Sequence, residues 1–352
     1  VALRAYSGAQ RDLCELRGIL LREIGGRPEL ADLPEPAEIP PRTALLRIEA
    51  AGLCYRDLLV TLGKFPRART PLVLGHEFSG RVVRVGEGVE GVREGELVTG
   101  LPHTICGSCE FCLTARENLC LNKKWYGEEA QGVFADYALV DASTLVRVPD
   151  GVPPSGAAIS SCVVGMLINA IRDVGRARAG EVVVVTGAGG GVGIHAVQVA
   201  KALGCRVIGV TRTEEKAEVV RRAGADSVVV GSAFAEEVKR AHGGADLVLE
   251  AVGEPTMAES IRSLKWGGRL VLVGNVTAGT FPLPLGVVIL KGLSVLGSVG
   301  STVRTMREAL EMMAKGSVKP VVREIRLEEH EEAFTSLREG RAVGRFVFRT
   351  AT

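Results

Sequence analysis

Between residue 181 and about residue 299 the chain alternates short apolar runs with stretches whose apolar residues recur at helical spacing. The runs at 181–186, 206–211, 227–230, 246–251, 269–274 and 293–297 are short and rich in Val, Ile and Leu, which predicts six strands. Helical periodicity fills most of the intervals, as at 194–203, 214–223 and 256–264. Strands alternating with helices predict an α/β fold built on a doubly wound parallel sheet. Before residue 150 the pattern is different. Strand-like runs at 18–24, 44–50, 81–85 and 96–98 are separated by glycines and by a Pro-rich link (Pro34, Pro36, Pro40, Pro41), with no long helical repeat. This predicts a mostly antiparallel β domain. A helical pattern at 303–314 and a strand at 344–348 predict a return to that domain. The expected organisation is an N-terminal extension at 1–17, a β-rich domain at 18–150, the parallel-sheet domain at 151–299 and the return at 300–352.

The first of the six strands runs directly into Thr186-Gly187-Ala188-Gly189-Gly190-Gly191-Val192-Gly193 and then into a helical pattern. Strand, tight glycine turn and helix form the setting in which a glycine fingerprint binds a dinucleotide. Gly190 allows the backbone to approach a pyrophosphate, and Gly193 allows close packing of helix on strand. The helix N-terminus offers free N–H groups and its positive dipole end to the phosphates. At the end of the second strand an acidic side chain would bond the ribose 2′-hydroxyl of NAD. Here the chain reads Val210-Thr211-Arg212-Thr213, with Lys216 following. Thr211 stands where the acid is expected, and Arg212, Thr213 and Lys216 suit a 2′-phosphate. NADPH is the expected cofactor, with NADH as the alternative.

Composition narrows the partners. The 352 residues are 46% hydrophobic and carry a net charge of +2, enough for about two domains and no argument for nucleic acid or an anionic membrane. No apolar run reaches the ~18 residues of a transmembrane helix. Arg4, Arg11, Asp12, Glu15 and Arg17 leave the first residues without the apolar stretch of a secretory signal. Four of the eight cysteines fall within one short stretch, which indicates metal rather than a disulfide framework and a cytoplasmic location.

That stretch is Cys106-x2-Cys109-x2-Cys112-x7-Cys120. Four thiolates fill a tetrahedral zinc site and leave no position for substrate, so this zinc is expected to be structural. An iron–sulfur cluster is the rival and would show visible absorption. A second, dispersed constellation combines Cys54, His76 with Glu77, and Cys162. Two cysteines and one histidine form a known set for catalytic zinc with an open position. Asp57 is placed to orient His76 from behind. His103, His195, His242 and His330 lack comparable company and are expected to be structural.

Gly75-His76-Glu77, the four-cysteine stretch, the glycine turn and Leu272-Val273-Gly274 running into Asn275-Val276 resemble the medium-chain dehydrogenase/reductase superfamily. That superfamily holds zinc alcohol dehydrogenases and quinone reductases. The resemblance covers nearly all residues from Gly18 onward. It implies a GroES-like catalytic domain interrupted by a six-stranded Rossmann domain, with Gly187, Gly190, Gly191, Val192, Gly193 and Asn275 at the cofactor. It also implies that Cys54, His76 and Cys162 hold a catalytic zinc, with Glu77 as alternative ligand, and that Arg345 reaches the cofactor phosphates. A homodimer or homotetramer is expected. One departure stands out. Zinc alcohol dehydrogenases carry Ser or Thr two residues after the first cysteine ligand, as a proton relay. Here Cys54-Tyr55-Arg56-Asp57 places Arg56 there, and arginine does not release its proton. This stretch resembles enoyl reductases instead, and with Cys162-Val163-Val164-Gly165-Met166 it resembles the archaeal acryloyl-coenzyme A reductase subfamily. Reduction of a conjugated enoyl thioester is the expected activity, with Tyr55 or water protonating the α-carbon and zinc, Arg56 or a backbone donor facing the carbonyl oxygen. Lys64, Arg67 and Arg69 are either CoA-phosphate contacts or an exposed loop. The alternatives are a zinc alcohol dehydrogenase and a non-catalytic NADPH-binding scaffold.

Overall fold

The computed structural model describes residues 16–350, so most of the expected N-terminal extension, residues 1–15, lies outside the described residues. In chain order the strands of the first part are β1 (Leu16–Leu21), β2 (Glu29–Leu33), β3 (Thr43–Gly52), β4 (Leu72–Val73), β5 (Glu77–Val85), β6 (Leu97–Thr99), β7 (Tyr137–Asp141) and β8 (Val146–Arg147). A second series follows: β9 (Val182–Val185), β10 (Arg206–Thr211), β11 (Ser227–Val230), β12 (Ala245–Glu250), β13 (Leu264–Leu272) and β14 (Ser294–Gly297). The chain closes with β15 (Val322–Arg326) and β16 (Arg345–Arg349). Two compact units result. Among the described residues one comprises 16–159 with Glu324–Glu339 and 346–350; the other comprises Ser160–Arg323 with Gly340–Arg345.

The first unit is antiparallel. A small sheet runs β2-β1-β4, and a larger one runs β15-β16-β3-β5-β6-β8 with β7 also paired to β3. Leu45, Leu46, Ile48, Phe78, Val82 and Phe348 are buried in this unit. The long β3 carries the unit, because β5, β7 and β16 all pair along it.

The second unit is the expected six-stranded parallel sheet, in the order β11-β10-β9-β12-β13-β14. Val182, Val183, Val184 and Val185 of β9 are all buried, as required of a central strand covered on both faces. Strand order reverses between β9 and β12, the position at which such sheets open a crevice at their carboxyl ends. The helix Glu214–Arg222 has Thr213 as N-cap, acids in its first turn and arginines in its last, which matches its dipole at both ends.

Three features differ from the sequence expectation. β1 begins at Leu16, because Gly18 sits inside the strand where a Cβ would strike Leu33 and Ala135. The helix Tyr55–Thr61 has seven residues, too few for a visible periodic repeat. The return to the first unit begins at Glu324, not at residue 300. The helix Val303–Ala314 stays in the second unit because its buried face (Met306, Ala309, Leu310) packs on the 160–165 turn, where Ser161 and Ser301 share a 2.7 Å hydrogen bond. Among the described residues no helix is long and apolar enough to cross a membrane.

Candidate functional site

In the first unit the helix Tyr55–Thr61 starts at Cys54 and is organised by Asp57. Asp57 Oδ2 accepts the Cys54 backbone N–H at 2.8 Å, and Oδ1 lies 3.0 Å from His76 Nδ1. Both Asp57 and His76 are 1% exposed. Nδ1 faces the carboxylate, so Nε2 is directed to the other side, 4.0 Å from Glu77 Oε1. Burial alone would lower the His76 pKa, but Asp57 and Cys54 outweigh it and raise it to about 10. Two glycines make the room. Gly75 has φ +95° and a Cβ there would enter the Phe134 ring, while a Cβ at Gly52 on β3 would overlap the Glu77 carboxylate. The donor atoms of Cys54, His76 and Glu77 thereby lie within 4.8 Å of one another. A thiol, an imidazole nitrogen and a carboxylate at this spacing fit a zinc ion.

Tyr55 is half-buried in the first turn. Arg56 is more constrained. Its guanidinium lies over the rings of Trp125 (4.1 Å to the centroid) and Phe65 (4.5 Å), and Nη2 pairs with Glu128, whose side chain is 1% exposed. Arg67 joins the same acids, at 3.5 Å from Glu128 and 3.1 Å from Glu129. Arg69 bonds the carbonyls of Pro66 and Ala68, and Lys64 is exposed. The sequence does not single out Glu128 or Trp125; the only signal is the run Trp125-Tyr126-Gly127-Glu128-Glu129, far along the chain from Arg56.

The four cysteines of the other metal motif converge. Sγ separations are 3.9 Å for Cys106–Cys112, 3.5 Å for Cys109–Cys112 and 3.6 Å for Cys120–Cys106. A tetrahedron with Zn–S bonds of about 2.3 Å has edges of about 3.8 Å. These sulfurs stand at the corners of such a cage, and their separations are far too long for disulfides. Backbone N–H groups of Ser108 and Cys109 hold the Cys106 thiol down at about 5, whereas burial and neighbouring thiols push Cys112 up to about 12. These four thiols are a group that could hold a metal ion by themselves.

In the second unit Gly187 has φ +59° and lies against Val252. A Cβ at Gly193 would collide with the Gly187 carbonyl and Ala188 Cα, whereas one at Gly190 would meet nothing of the chain closer than 3.4 Å. Gly193 is demanded by packing; the open side of Gly190 is not. Val192 precedes the helix Gly193–Ala202, and Gly191 lies against Gly344 and the buried Arg345. Thr211 is buried at the end of β10. Arg212 reaches Gly340 O at 3.3 Å, and Lys216 Nζ bonds Gly340 O (2.6 Å) and Ala342 O (2.9 Å), leaving one ammonium donor. Asn275 bonds Gly279 O at 2.9 Å beside Gly253. Cys162 is half-buried in the π-helical turn Ser160–Gly165.

His195, expected to be structural, has a defined task. Nδ1 lies 2.7 Å from Gly191 O, and Nε2 accepts the Val321 N–H at 3.0 Å, so the neutral ring joins the glycine turn to the segment before β15. Burial lowers its pKa to about 4, and burial does the same to His103, whose Nδ1 faces Thr104 O.

Residues 40–150 match the family of alcohol dehydrogenase GroES-like domains, and residues 191–315 match that of zinc-binding dehydrogenases. An acryloyl-coenzyme A reductase of Sulfurisphaera tokodaii is 42% identical over 319 residues, covering 90% of this chain and 95% of that protein. An alcohol dehydrogenase of Geobacillus stearothermophilus is 34% identical over 341 residues, 95% of this chain and 99% of that protein. The solved structure of an NAD-dependent alcohol dehydrogenase superposes with a TM-score of 0.87 at 33% identity, over 95% of this chain and 99% of that one.

Two outcomes are expected. Replacing Cys112 by Ser should remove one zinc per chain and cost at least about 3 kcal/mol of stability, read by metal analysis and thermal unfolding; an unchanged zinc count would contradict the closed cage. His195 binds a proton near its ordinary pKa of about 6.5 when unfolded, but only near 4 when folded. Its contribution is therefore complete above pH 6.5 and lost as pH falls toward 4, with about 2 kcal/mol gone at pH 5. His195→Gln should lose less thermal stability than wild type between pH 7.5 and pH 5, and an equal loss in both would refute the assignment.

Proposed function

The chain belongs to the zinc-binding dehydrogenases of the medium-chain dehydrogenase/reductase superfamily, and we propose that its reaction is the NADPH-dependent reduction of a carbon–carbon double bond conjugated to a thioester carbonyl. It is an NAD(P)-dependent oxidoreductase, and acryloyl-coenzyme A or another short enoyl thioester is the substrate we infer. The observation that carries this reading is Arg56. It stands two residues after Cys54, where the alcohol dehydrogenases need a hydroxyl relay, and its guanidinium is committed to Glu128 and two aromatic rings. The 42% identity to an acryloyl-coenzyme A reductase supports the same reading.

In the proposed reaction the β-carbon accepts the hydride that the nicotinamide cofactor supplies, and the α-carbon accepts a proton. Tyr55, in the first turn after Cys54, holds that proton. Negative charge develops on the thioester carbonyl oxygen and must be met by a fixed positive centre. Cys54, His76 and Cys162 would hold a zinc ion, with Glu77 as alternative ligand, and the ion would supply a Lewis acid for that oxygen. Asp57 keeps Nε2 of His76 available by occupying Nδ1. Arg56 acts as a positioning residue that fixes the helix after Cys54 against the 125–128 stretch. The products are the saturated thioester and the oxidised cofactor.

The glycine turn (Gly187, Gly190, Gly191, Val192, Gly193) takes the pyrophosphate, with Arg345 beside Gly191 and Asn275 in the segment that follows β13. Preference for NADPH is supported by the absence of a carboxylate at Thr211 and by Arg212 and Thr213; Lys216 lends its remaining donor. We further propose a homodimer formed through the sheet edge at β14, where exposed Leu285, Ile289 and Leu290 flank the strand. The thiol-rich metal sites suit a reducing cytoplasm. The 34% identity to an alcohol dehydrogenase favours alcohol oxidation as the second reading.

Initial-rate measurements on the zinc-loaded protein separate the two. Acryloyl-coenzyme A with NADPH should give a kcat/KM at least about tenfold above that with NADH and above that of any simple alcohol with NADP+, a difference of about 1.4 kcal/mol. Faster turnover of an alcohol would establish the second reading, and equal or better use of NADH would overturn the cofactor preference.

A further inference from the structure

We propose that Glu250 is a positioning residue for the dinucleotide, holding the glycine turn and the facing 251–256 loop in register where the strand order reverses. The inference rests on the assignment of the glycine turn to the cofactor. Glu250 ends β12 and is 0% exposed. Among the described residues no cation pairs with it; its charge is met by five donors. Oε1 accepts from Thr186 Oγ1 (2.8 Å), Val252 N (2.9 Å), Gly253 N (2.9 Å) and Thr256 Oγ1 (2.8 Å), and Oε2 accepts from Ser260 Oγ at 2.5 Å.

The donors come from both sides of the crevice expected between β9 and β12. Thr186 is the residue immediately before Gly187, and its hydroxyl also accepts the Ala251 N–H at 2.9 Å. Val252 meets Gly187, and Gly253, with φ +99°, lies against Asn275. Gly274 in turn lies against the Ala251 carbonyl. The carboxyl ends of β9, β12 and β13 are thus drawn together around one carboxylate. A buried charge satisfied only by dipoles is a poor device for stability, because an apolar group of similar volume usually does as well. It is a good device for geometry, since every donor must stay where it is for the charge to remain buried.

The two carboxylate oxygens allow a discriminating test. Oε1 reaches the glycine turn through Thr186, whereas Oε2 reaches only the body of the helix Glu254–Ser263 through Ser260. NADPH binding to the zinc-loaded protein is titrated by calorimetry, with thermal unfolding measured alongside, for wild type, Thr186→Val, Thr186→Ser and Ser260→Ala. Thr186→Val should weaken NADPH binding by about tenfold. Thr186→Ser should restore it, and Ser260→Ala should stay within about twofold of wild type while lowering the Tm at least as much as Thr186→Val. Should Thr186→Val fail to fold, Thr256→Val removes another Oε1 donor and is expected to weaken binding in the same direction. Wild-type affinity in Thr186→Val, or equal weakening in Thr186→Val and Ser260→Ala, overturns the proposal. A wild-type protein that binds neither NADPH nor NADH overturns the assignment of the glycine turn itself, and the role of Glu250 with it.

Discussion

The candidate catalytic centre depends on one carboxylate with two duties. Asp57 caps the helix Tyr55–Thr61 through the Cys54 backbone and holds the His76 ring through Nδ1. Cys54 and His76 are far apart in sequence, and a single fully buried side chain sets both. The cost of burying Asp57 is met because both oxygens are bonded, one to the Cys54 backbone N–H and the other to Nδ1 of His76. Without it the imidazole would be free to present either nitrogen, and the helix would lose its N-terminal anchor. Gly52 then leaves room for the Glu77 carboxylate, and Gly75 for the Phe134 ring, where any larger residue would collide.

The second unit uses the same physics on a different scaffold. Its parallel sheet brings strand ends together, and short side-chain bonds decide how those ends are held. His195 and Gln198 bind the backbone of the 319–321 segment, while Lys216 and Arg212 bind the 340–342 segment. The glycine turn is therefore embraced by neighbours fixed through polar contacts, and apolar packing beneath it supplies the bulk of the stability (Val182, Val184, Ile208, Val210, Val248 and Leu270 in one cluster). Specific chemistry sits above a nonspecific core.

What could be read from the chain alone was local. The valine run, the glycine turn and the cysteine spacing each encode their structure within about fifteen residues or fewer, through strand periodicity, backbone freedom and tetrahedral reach. Distant partnerships were not legible. Arg56 announced a missing hydroxyl relay, but nothing nearby identified Glu128 or Trp125 as its partners. Nothing in the strand run 246–251 marks Glu250, and its five donors come together only once β9 and β12 are neighbours. The helical periodicity of 303–314 identifies the helix Val303–Ala314, yet its amphipathic pattern does not say which unit it packs on.

The central claim is that these residues serve conjugate reduction rather than carbonyl or alcohol chemistry. Isotope tracing addresses it directly. Acryloyl-coenzyme A is reduced by the zinc-loaded protein with NADPH fully deuterated at C4 of the nicotinamide, in ordinary water, and the product is examined by NMR. One deuterium on the β-carbon of the propionyl group, with solvent hydrogen at the α-carbon, is the predicted result. Deuterium on the former carbonyl carbon, or no transfer from the cofactor to the acyl chain, would contradict it.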